Sequence, residues 1–454
     1  MLDILRIITI ISIYRLGSHA RLGKIISIPL AIYTILLFPF RRKKHRDNNF
    51  GNRLVNCLYD LGPIYVKFGQ TLSTRPDIIG DELADNLRKL QDSLPPFPYT
   101  KTRSIIEASF RKKMDEIFAN FDETPIAAAS ISQVHRATLH NGDKVAVKVL
   151  RPEIHNIYSR DIKLLHFLTK FAKYIVQDAS RLKPSEIVKS FEDTMHQELD
   201  FMLEAASASE MRDNAKNDYN VVIPKVYWEF TSADILTTQW LDGISIYNTK
   251  ALQKAGLDII DISSKIAVMF FNQAYRDGVF HADLHPGNVM VCKDGRIGLV
   301  DFGIMGRLPE KDRLAVAEIL YAFIKRDYMR VAEIHIDAGY VPANTDIGLF
   351  AQSCRAIGEP IVGMSAKDIS VGKLLTQLFK MTKTFGMETQ PQLLMIQKTT
   401  VVVEGIGRML NPDMNLWKLA EPWIKKWAVK NISPEAKILR VMKKVICELV
   451  KKVG

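Results

Sequence analysis

Residues 281–303 read HADLHPGNVMVCKDGRIGLVDFG, and no other stretch limits the possible fold so strongly. Two β-rich runs, NVMV and RIGLV, flank CKDG, where Asp294-Gly295 supplies the turn of a hairpin. Asp283 lies five residues before Asn288, and Asp301 follows thirteen after Asn288, across the hairpin. The loop brings Asp283 and Asn288 to one point, and the returning strand carries Asp301 to the same rim. Phosphoryl transfer requires such a set: one carboxylate to orient and deprotonate an acceptor, plus an amide and a second carboxylate to hold magnesium. Asp-Phe-Gly alone is a weak signal, but D-x-x-x-x-N ahead of the strand pair makes it strong. His281 and His285 stand four apart, as a zinc pair on a helix would. Pro286-Gly287 forbids a continuing helix and no third ligand is evident, so zinc is not expected.

A second anchor lies upstream. AAASISQV (127–134) precedes the turn His140-Asn141-Gly142-Asp143 and the strand KVAVKVL (144–150). Strand, loop, strand, turn and a strand ending in Ala-Val-Lys is the plan of a nucleotide-phosphate clamp, with Lys148 directed at the α- and β-phosphates. The bland alternative is a surface lysine on a half-buried strand. A helix carboxylate should hold Lys148, and HQELDFMLEAA (196–206) offers Glu198, Asp200 and Glu204. Glu198 and Asp200 are two apart and point in different directions, so one acid can hold Lys148 while another has a separate partner. The loop itself is unusual, because glycine normally lets backbone N–H groups approach phosphates without a Cβ in the way. Alanine keeps the loop small but disfavours positive φ, which predicts a stiffer loop with a different grip.

Composition narrows the partners. The chain has 454 residues, 47% hydrophobic and 25% charged, enough for several compact units or one large two-lobed domain. A net charge of +12 suits a negatively charged partner. No aromatic-basic interleaving, RNP-like or zinc-finger pattern occurs, so nucleic acid is not expected. The four cysteines show no C-x-x-C spacing, which fits a reducing compartment.

The ends suggest a membrane surface. IISIPLAIYTILLFPF (25–40) carries no charge and runs into RRKKHR (41–46). Sixteen residues span only about 24 Å as a helix, short of a ~30 Å hydrocarbon core. Pro29 and Pro39 weaken the helix further. The run either packs on the rest of the protein or lies in a membrane with the basic cluster on anionic headgroups. The tail SPEAKILRVMKKVICELVKKVG (433–454) reads as a basic amphipathic helix capped by Ser433. We therefore expect a membrane-associating segment 1–46, a helical extension 47–117, a β-rich lobe 118–242 around one long helical stretch (157–215), a mostly helical lobe 243–430, and a C-terminal helix 431–454.

Taken together, these motifs resemble the UbiB family of atypical, protein-kinase-like proteins tied to ubiquinone biosynthesis. The resemblance runs from about residue 50 to 430. Its most specific element is KFGQTLSTRPD (67–77), a K-x-G-Q signature in which Lys67, Gly69, Gln70, Ser73, Arg75 and Asp77 stand at the family's positions. LQDSLPPFP (90–98) and VVVEGIGRMLNPDMN (401–415) fit the flanking segments. The resemblance implies an α+β, bilobal protein-kinase-like fold with an N-terminal helical extension carrying K-x-G-Q. It also implies ATP or ADP with Mg2+ as cofactors. The catalytic residue is then Asp283, and Asn288 and Asp301 hold the metal. The nucleotide set is Ile126, Ala127, Ala128, Ala129, Ser130, Ile131, Ser132, Gln133, Val134, Lys148, Glu198 and Asp200, with Lys67 and Gln70 brought close to the E-x-D acids.

The implied activity is that of an atypical kinase or ATPase at the cytoplasmic face of a bacterial inner membrane. Its implied partners are anionic lipid and either quinone-biosynthesis proteins or prenylated phenolic intermediates. Two rival readings are a small-molecule or lipid kinase and a nucleotide-gated scaffold without enzyme activity. Two features argue against a loop-switched protein kinase: Ala282 replaces the arginine that reads a phosphorylated activation loop, and no A-P-E segment follows Asp-Phe-Gly. Two departures from the family stand out: no charge-free run of eighteen residues follows residue 400, and Ser207 replaces a frequent asparagine.

Overall fold

The computed structural model describes residues 10, 14, 49–73, 79–90, 95–175, 183–285, 287–362, 377, 385–386 and 390–431. The apolar run 25–40, the RRKKHR cluster, Arg75, Asp77, Pro286 and the tail 432–454 lie outside the described residues.

From Asn49 on, the described residues begin with helices α1 (Phe50–Leu61), α2 (Pro63–Ser73), α3 (Asp81–Leu87) and α4 (Tyr99–Phe110). Strands β1 (Phe118–Phe121), β2 (Ala127–Ala128), β3 (Ser132–Leu139) and β4 (Lys144–Leu150) follow, then helices α5 (Ile154–Ile175), α6 (Pro184–Glu198) and α7 (Phe201–Asn214). Next come β5 (Val221–Val222), β6 (Ile235–Gln239), β7 (Gly243–Ser245), α8 (Ile259–Phe271) and a π-helical turn at Asn272–Asp277. Four short strands complete the β structure: β8 (Val279–His281), β9 (Val289–Cys292), β10 (Ile297–Leu299) and β11 (Met305–Arg307). Among the described residues the helices that follow are α9 (Glu310–Ile324), α10 (Tyr328–Asp337), α11 (Ile347–Val362), α12 (Pro391–Leu410) and α13 (Leu416–Asn431).

The chain forms two compact units. Among the described residues, the first holds those up to Ala205 together with Val226–Trp240; the second holds Ala206–Lys225 and those from Leu241 on. In the first, β1, β3, β4 and β6 form an antiparallel sheet with β2 added to β3. β4 alternates strictly: Val145, Val147 and Val149 are buried with Ile106, Ile117 and Phe118, while Lys148 faces the other way. That period of two separates the core face from the chemical face. Tyr14 is also buried here, and its hydroxyl donates to Asp60 at 2.6 Å.

In the expected single helical stretch from 157 to 215, the described residues form three helices. Lys183 adopts positive φ before Pro184, whose fixed φ and missing N–H suit the first turn of a helix. The second break falls at Leu199-Asp200, where the Asp200 carboxylate accepts from the Met202 N–H at 2.9 Å and caps α7.

In the second unit β5, β10, β9 and β7 form one sheet, and β8 pairs with β11. The β9–β10 hairpin turns where Asp294-Gly295 predicted, with Gly295 at φ 76°. Helix α8 packs on β10 and against α12 and α13, and α9 packs against α13. His335 of α10 lies in this helical core against Tyr340 and Phe350, its Nδ1 donating to the Val331 carbonyl at 2.7 Å.

Burial pulls the His335 pKa from its ordinary 6.5 down to about 4. Between those values the unfolded chain binds the proton and the folded chain does not, so stability falls as pH falls through this window. Relative to the parent, His335→Phe should gain stability on acidification from pH 6.5 to pH 4, by up to roughly 3 kcal/mol. Denaturant titrations of both proteins across that range check this. Parallel pH profiles would show that His335 does not carry the effect.

Candidate functional site

In the first unit Lys148 Nζ sits 3.0 Å from both oxygens of Glu204, with both side chains largely buried. The Phe201 ring lies 5.2 Å from the ammonium and shields one side of the pair. Of the three acids the sequence offered, Glu204 is therefore the partner of Lys148. Glu198 instead pairs with Lys67 at 3.0 Å, and Asp200 caps α7. The Asp200 side chain thus has a helix-capping job, done through Oδ1. The physical reason is the break in the helix, which puts Glu198 at the end of α6 and Glu204 in the first turn of α7.

The K-x-G-Q residues divide their work. Lys67 makes the ion pair with α6, and next to it Phe68 packs edge-on to Phe191 of α6 at 5.1 Å. Gly69 allows close approach: a Cβ there would fall 2.5 Å from a Leu90 methyl and 2.6 Å from a Leu58 methyl. Gln70 donates from Nε2 to the Leu90 carbonyl at 3.2 Å, and Ser73 Oγ donates to the Gln70 carbonyl at 2.7 Å. Gln70 is thereby a helix-to-loop tie within the extension.

The alanine loop is a tight hairpin end. Ala127 pairs with Val134 and Ala128 with Gln133, and the Ala129 N–H donates to the Ser132 carbonyl at 2.8 Å. Ile126 is exposed, while Ser130, Ile131, Ser132 and Gln133 are buried. Among the described residues, positive φ outside glycine occurs only at Arg111, Glu153, Lys183, Asp301 and Arg326, so no loop residue needs it. Alanine is therefore tolerated without strain. The Gln133 side chain turns inward and bonds the Phe97 N–H and carbonyl, Thr102 and His135. This corrects the reading of that side chain as a nucleotide contact: a fully buried carboxamide needs partners inside the fold and finds them there.

The second unit gathers Asp283, Asn288 and Asp301 around one histidine. The His281 ring accepts from the Asp283 N–H on Nδ1 at 3.2 Å, which leaves the proton on Nε2. Nε2 donates to the Asp301 carbonyl at 2.8 Å. Burial lowers the His281 pKa, against the pull of Asp301 and Asp283, and keeps the ring neutral as this pattern demands. Both ring nitrogens are engaged by backbone, which disposes of a zinc role. Asp301 has φ 61°, a strained conformation for a non-glycine residue, and its Oδ1 accepts from the Gly303 N–H at 3.3 Å. Asn288 Nδ2 donates to the Asp283 carbonyl at 3.0 Å, so the amide oxygen is the end suited to a cation.

An amide oxygen and a carboxylate fit magnesium, which prefers oxygen ligands and takes the rest from phosphate and water. Among the described residues no group of three His, Cys, Asp or Glu clusters as a metal site, so the protein supplies only part of a shell. Sequence reasoning missed Tyr247, whose hydroxyl donates to the Leu284 carbonyl at 3.2 Å next to Asp283. Nothing in the sequence links it to residues so far along the chain. It also missed His281 as the link, although its position two residues before Asp283 at a strand end was a usable signal.

The family model for the ABC1 atypical kinase-like domain matches residues 89–335, and that for the UbiB helical domain matches 354–415. The chain belongs to the UbiB family. A Marinobacter nauticus UbiB relative, named "Probable protein kinase UbiB", is 42% identical over 94% of this chain and 78% of its own length. A Pseudomonas fluorescens UbiB protein of the same name is 39% identical over 95% of this chain and 82% of its own. The solved Rv3197–erythromycin complex of Mycobacterium tuberculosis superposes with a TM-score of 0.54 at 23% identity, over 82% of this chain and 94% of the other. The fold is accordingly the α+β, bilobal kinase-like fold of UbiB proteins, with the helical extension ahead of it.

His281→Phe would take their ring partner from the part-buried Asp301 carbonyl and Asp283 N–H. It should destabilise this UbiB chain by roughly 1–3 kcal/mol in chemical denaturation. A loss below about 0.5 kcal/mol, within the range of neutral surface changes, would show that the ring is not the link.

Proposed function

We propose that this protein is a Mg-dependent, nucleotide-binding atypical kinase or ATPase that supports ubiquinone biosynthesis at a membrane. The observation that carries this reading is the bond pair through which His281 joins the Asp283 N–H to the Asp301 carbonyl. A merely structural loop has no need to fix two carboxylates and an amide oxygen at one strand end. In this reading Asp283, whose carboxylate keeps 36% of its surface exposed, orients the acceptor and takes its proton. Asp301 and Asn288 hold the cation, and Lys148, fixed by Glu204, binds the α- and β-phosphates. Bound magnesium would supply charge compensation for those phosphates.

The segment after Asp-Phe-Gly supports an enzyme without a switching loop. It passes directly into β11, where Gly306 lies opposite Phe280 and an added Cβ would meet that ring at 2.2 Å. Helix α9 then begins at Glu310. Too little chain remains for a phosphorylated activation loop. Conversion of a small or lipid-like acceptor fits this better than docking of a protein substrate, and the role in ubiquinone biosynthesis rests on the family.

Asp301→Asn should abolish Mg-dependent ATP and ADP binding, because one carboxylate ligand and its charge are lost. Calorimetry tests it; parent-like affinity in the variant would remove Asp301 from the metal. Phosphate found on a phenolic quinone precursor, rather than released free, distinguishes a kinase from an ATPase.

The membrane part is proposed from charge. No helix among the described residues is long and apolar enough to cross a membrane. The cluster 41–46 and the basic tail instead suit the anionic cytoplasmic face of a bacterial inner membrane, where each cation contributes about 1 kcal/mol. There, prenylated intermediates or other quinone-biosynthesis proteins are the expected partners. The full chain should float with anionic liposomes at low salt and lose that binding when Arg41, Arg42, Lys43 and Lys44 are replaced by Gln. A parent that stays in the soluble fraction at low salt defeats the membrane reading.

A further inference from the structure

The alanine loop is held from outside by two side chains. Arg151, the residue after β4, donates to the Ala129 carbonyl from Nε at 3.2 Å and from Nη2 at 2.8 Å. Nη2 also donates to the Pro95 carbonyl at 3.0 Å, and the guanidinium lies 5.7 Å from the centre of the Phe97 ring. The Arg151 N–H donates to the Ile131 carbonyl at 2.8 Å. Gln133, at the other end of the loop, accepts from the Phe97 N–H at 3.0 Å and donates to the Phe97 carbonyl at 3.3 Å. Both ends of the loop are therefore fixed to the Pro95–Phe97 segment, one through the Pro95 carbonyl and the Phe97 ring, the other through the Phe97 backbone.

This grip controls something that alanine does not. A Cβ limits φ, but ψ stays open between the helical and extended regions, so a peptide unit can still rotate. A trans peptide is planar, and its N–H points opposite to its carbonyl. Holding the Ala129 carbonyl thus fixes the direction of the Ser130 N–H. Arg151 engages the loop only through carbonyl oxygens, the groups that a phosphate repels.

We propose that Arg151 is a positioning residue for the nucleotide loop, which braces the Ala129–Ser130 peptide against Pro95 and Phe97 and so fixes the loop backbone before a nucleotide binds. This rests on the nucleotide reading of the loop given above. The competing account is that Arg151 merely glues the 95–102 segment to the sheet.

The test uses the full chain. Arg151→Lys keeps the charge but replaces a planar fork with a point donor that cannot hold two carbonyls and cover Phe97 at once. Hydrogen exchange without ligand should quicken about tenfold or more at residues 128–132, with β4 amides unchanged. Mg-ATP affinity by calorimetry should fall several-fold while the thermal midpoint stays near that of the parent. Phe97→Leu, which removes the ring and keeps every backbone bond, should shift both readouts in the same direction and carries the test if Arg151→Lys does not fold. Unchanged loop exchange in both variants overturns the proposal, and so does faster exchange with unaltered nucleotide affinity. A parent that binds neither ATP nor ADP overturns the nucleotide reading instead; the ligand-free exchange data tell the two failures apart.

Discussion

A lysine ammonium and a carboxylate that are both largely out of water are costly to bury, and the Lys148–Glu204 contact offsets that cost only because its geometry is symmetric and close. The surrounding structure follows from this requirement. Lys148 must leave the core face of β4, which the alternation with Val147 and Val149 ensures. Glu204 must arrive from a helix that starts near the sheet, which needs the break at Leu199-Asp200 and the bond from the Phe201 N–H to the Ala233 carbonyl at 2.9 Å. That break leaves Glu198 as the last residue of α6, where the helix dipole disfavours an acid. Lys67 compensates it, so the extension is tied to the same helical pair that serves Lys148.

The second unit meets a different constraint. Asp301 sits in a backbone region that costs a non-glycine residue about 1–3 kcal/mol, so the neighbours must over-determine it. They do so from both ends. His281 holds its carbonyl, and the Gly303 N–H holds its side chain. The bond from His281 N–H to the Gln273 side-chain oxygen at 3.2 Å then anchors the histidine's own backbone to the π-helical turn. A neutral, buried ring is the only state that accepts on one nitrogen and donates on the other. Burial depresses its pKa although the bonds to the Val300 and Asp301 carbonyls pull the other way.

What was legible in the sequence was chemistry expressed through residue type and local spacing. Asp283, Asn288, Asp301 and Lys148 could be read because each lies at a fixed distance from a turn or strand end. The β9–β10 hairpin was legible through Asp294-Gly295 and the opening helices through their apolar spacing. Pairings across long separations were not. Which acid meets Lys148 depends on the break after α6, although Pro184 and Asp200 were signals for the breaks that periodicity alone passed over. Gln133 was read with its neighbours as part of a phosphate loop, but strand alternation turns its side chain toward Phe97. Tyr247 reaches the Asp283 loop through tertiary folding that no local pattern encodes.

The alanines make sense once φ and the peptide plane are treated as separate freedoms. A glycine loop grips phosphate by using conformations that a Cβ forbids, and it remains free to leave them. Here every loop residue keeps negative φ, so glycine would add unfolded-chain and loop entropy without reaching a geometry that the fold uses. The remaining freedom is rotation of the peptide units, and the bonds at Ala129 and Ile131 act on that coordinate. Small side chains and an external guanidinium are thus complementary: the first removes alternative backbone basins, and the second selects an orientation within the basin that is left. A loop built this way keeps one backbone arrangement.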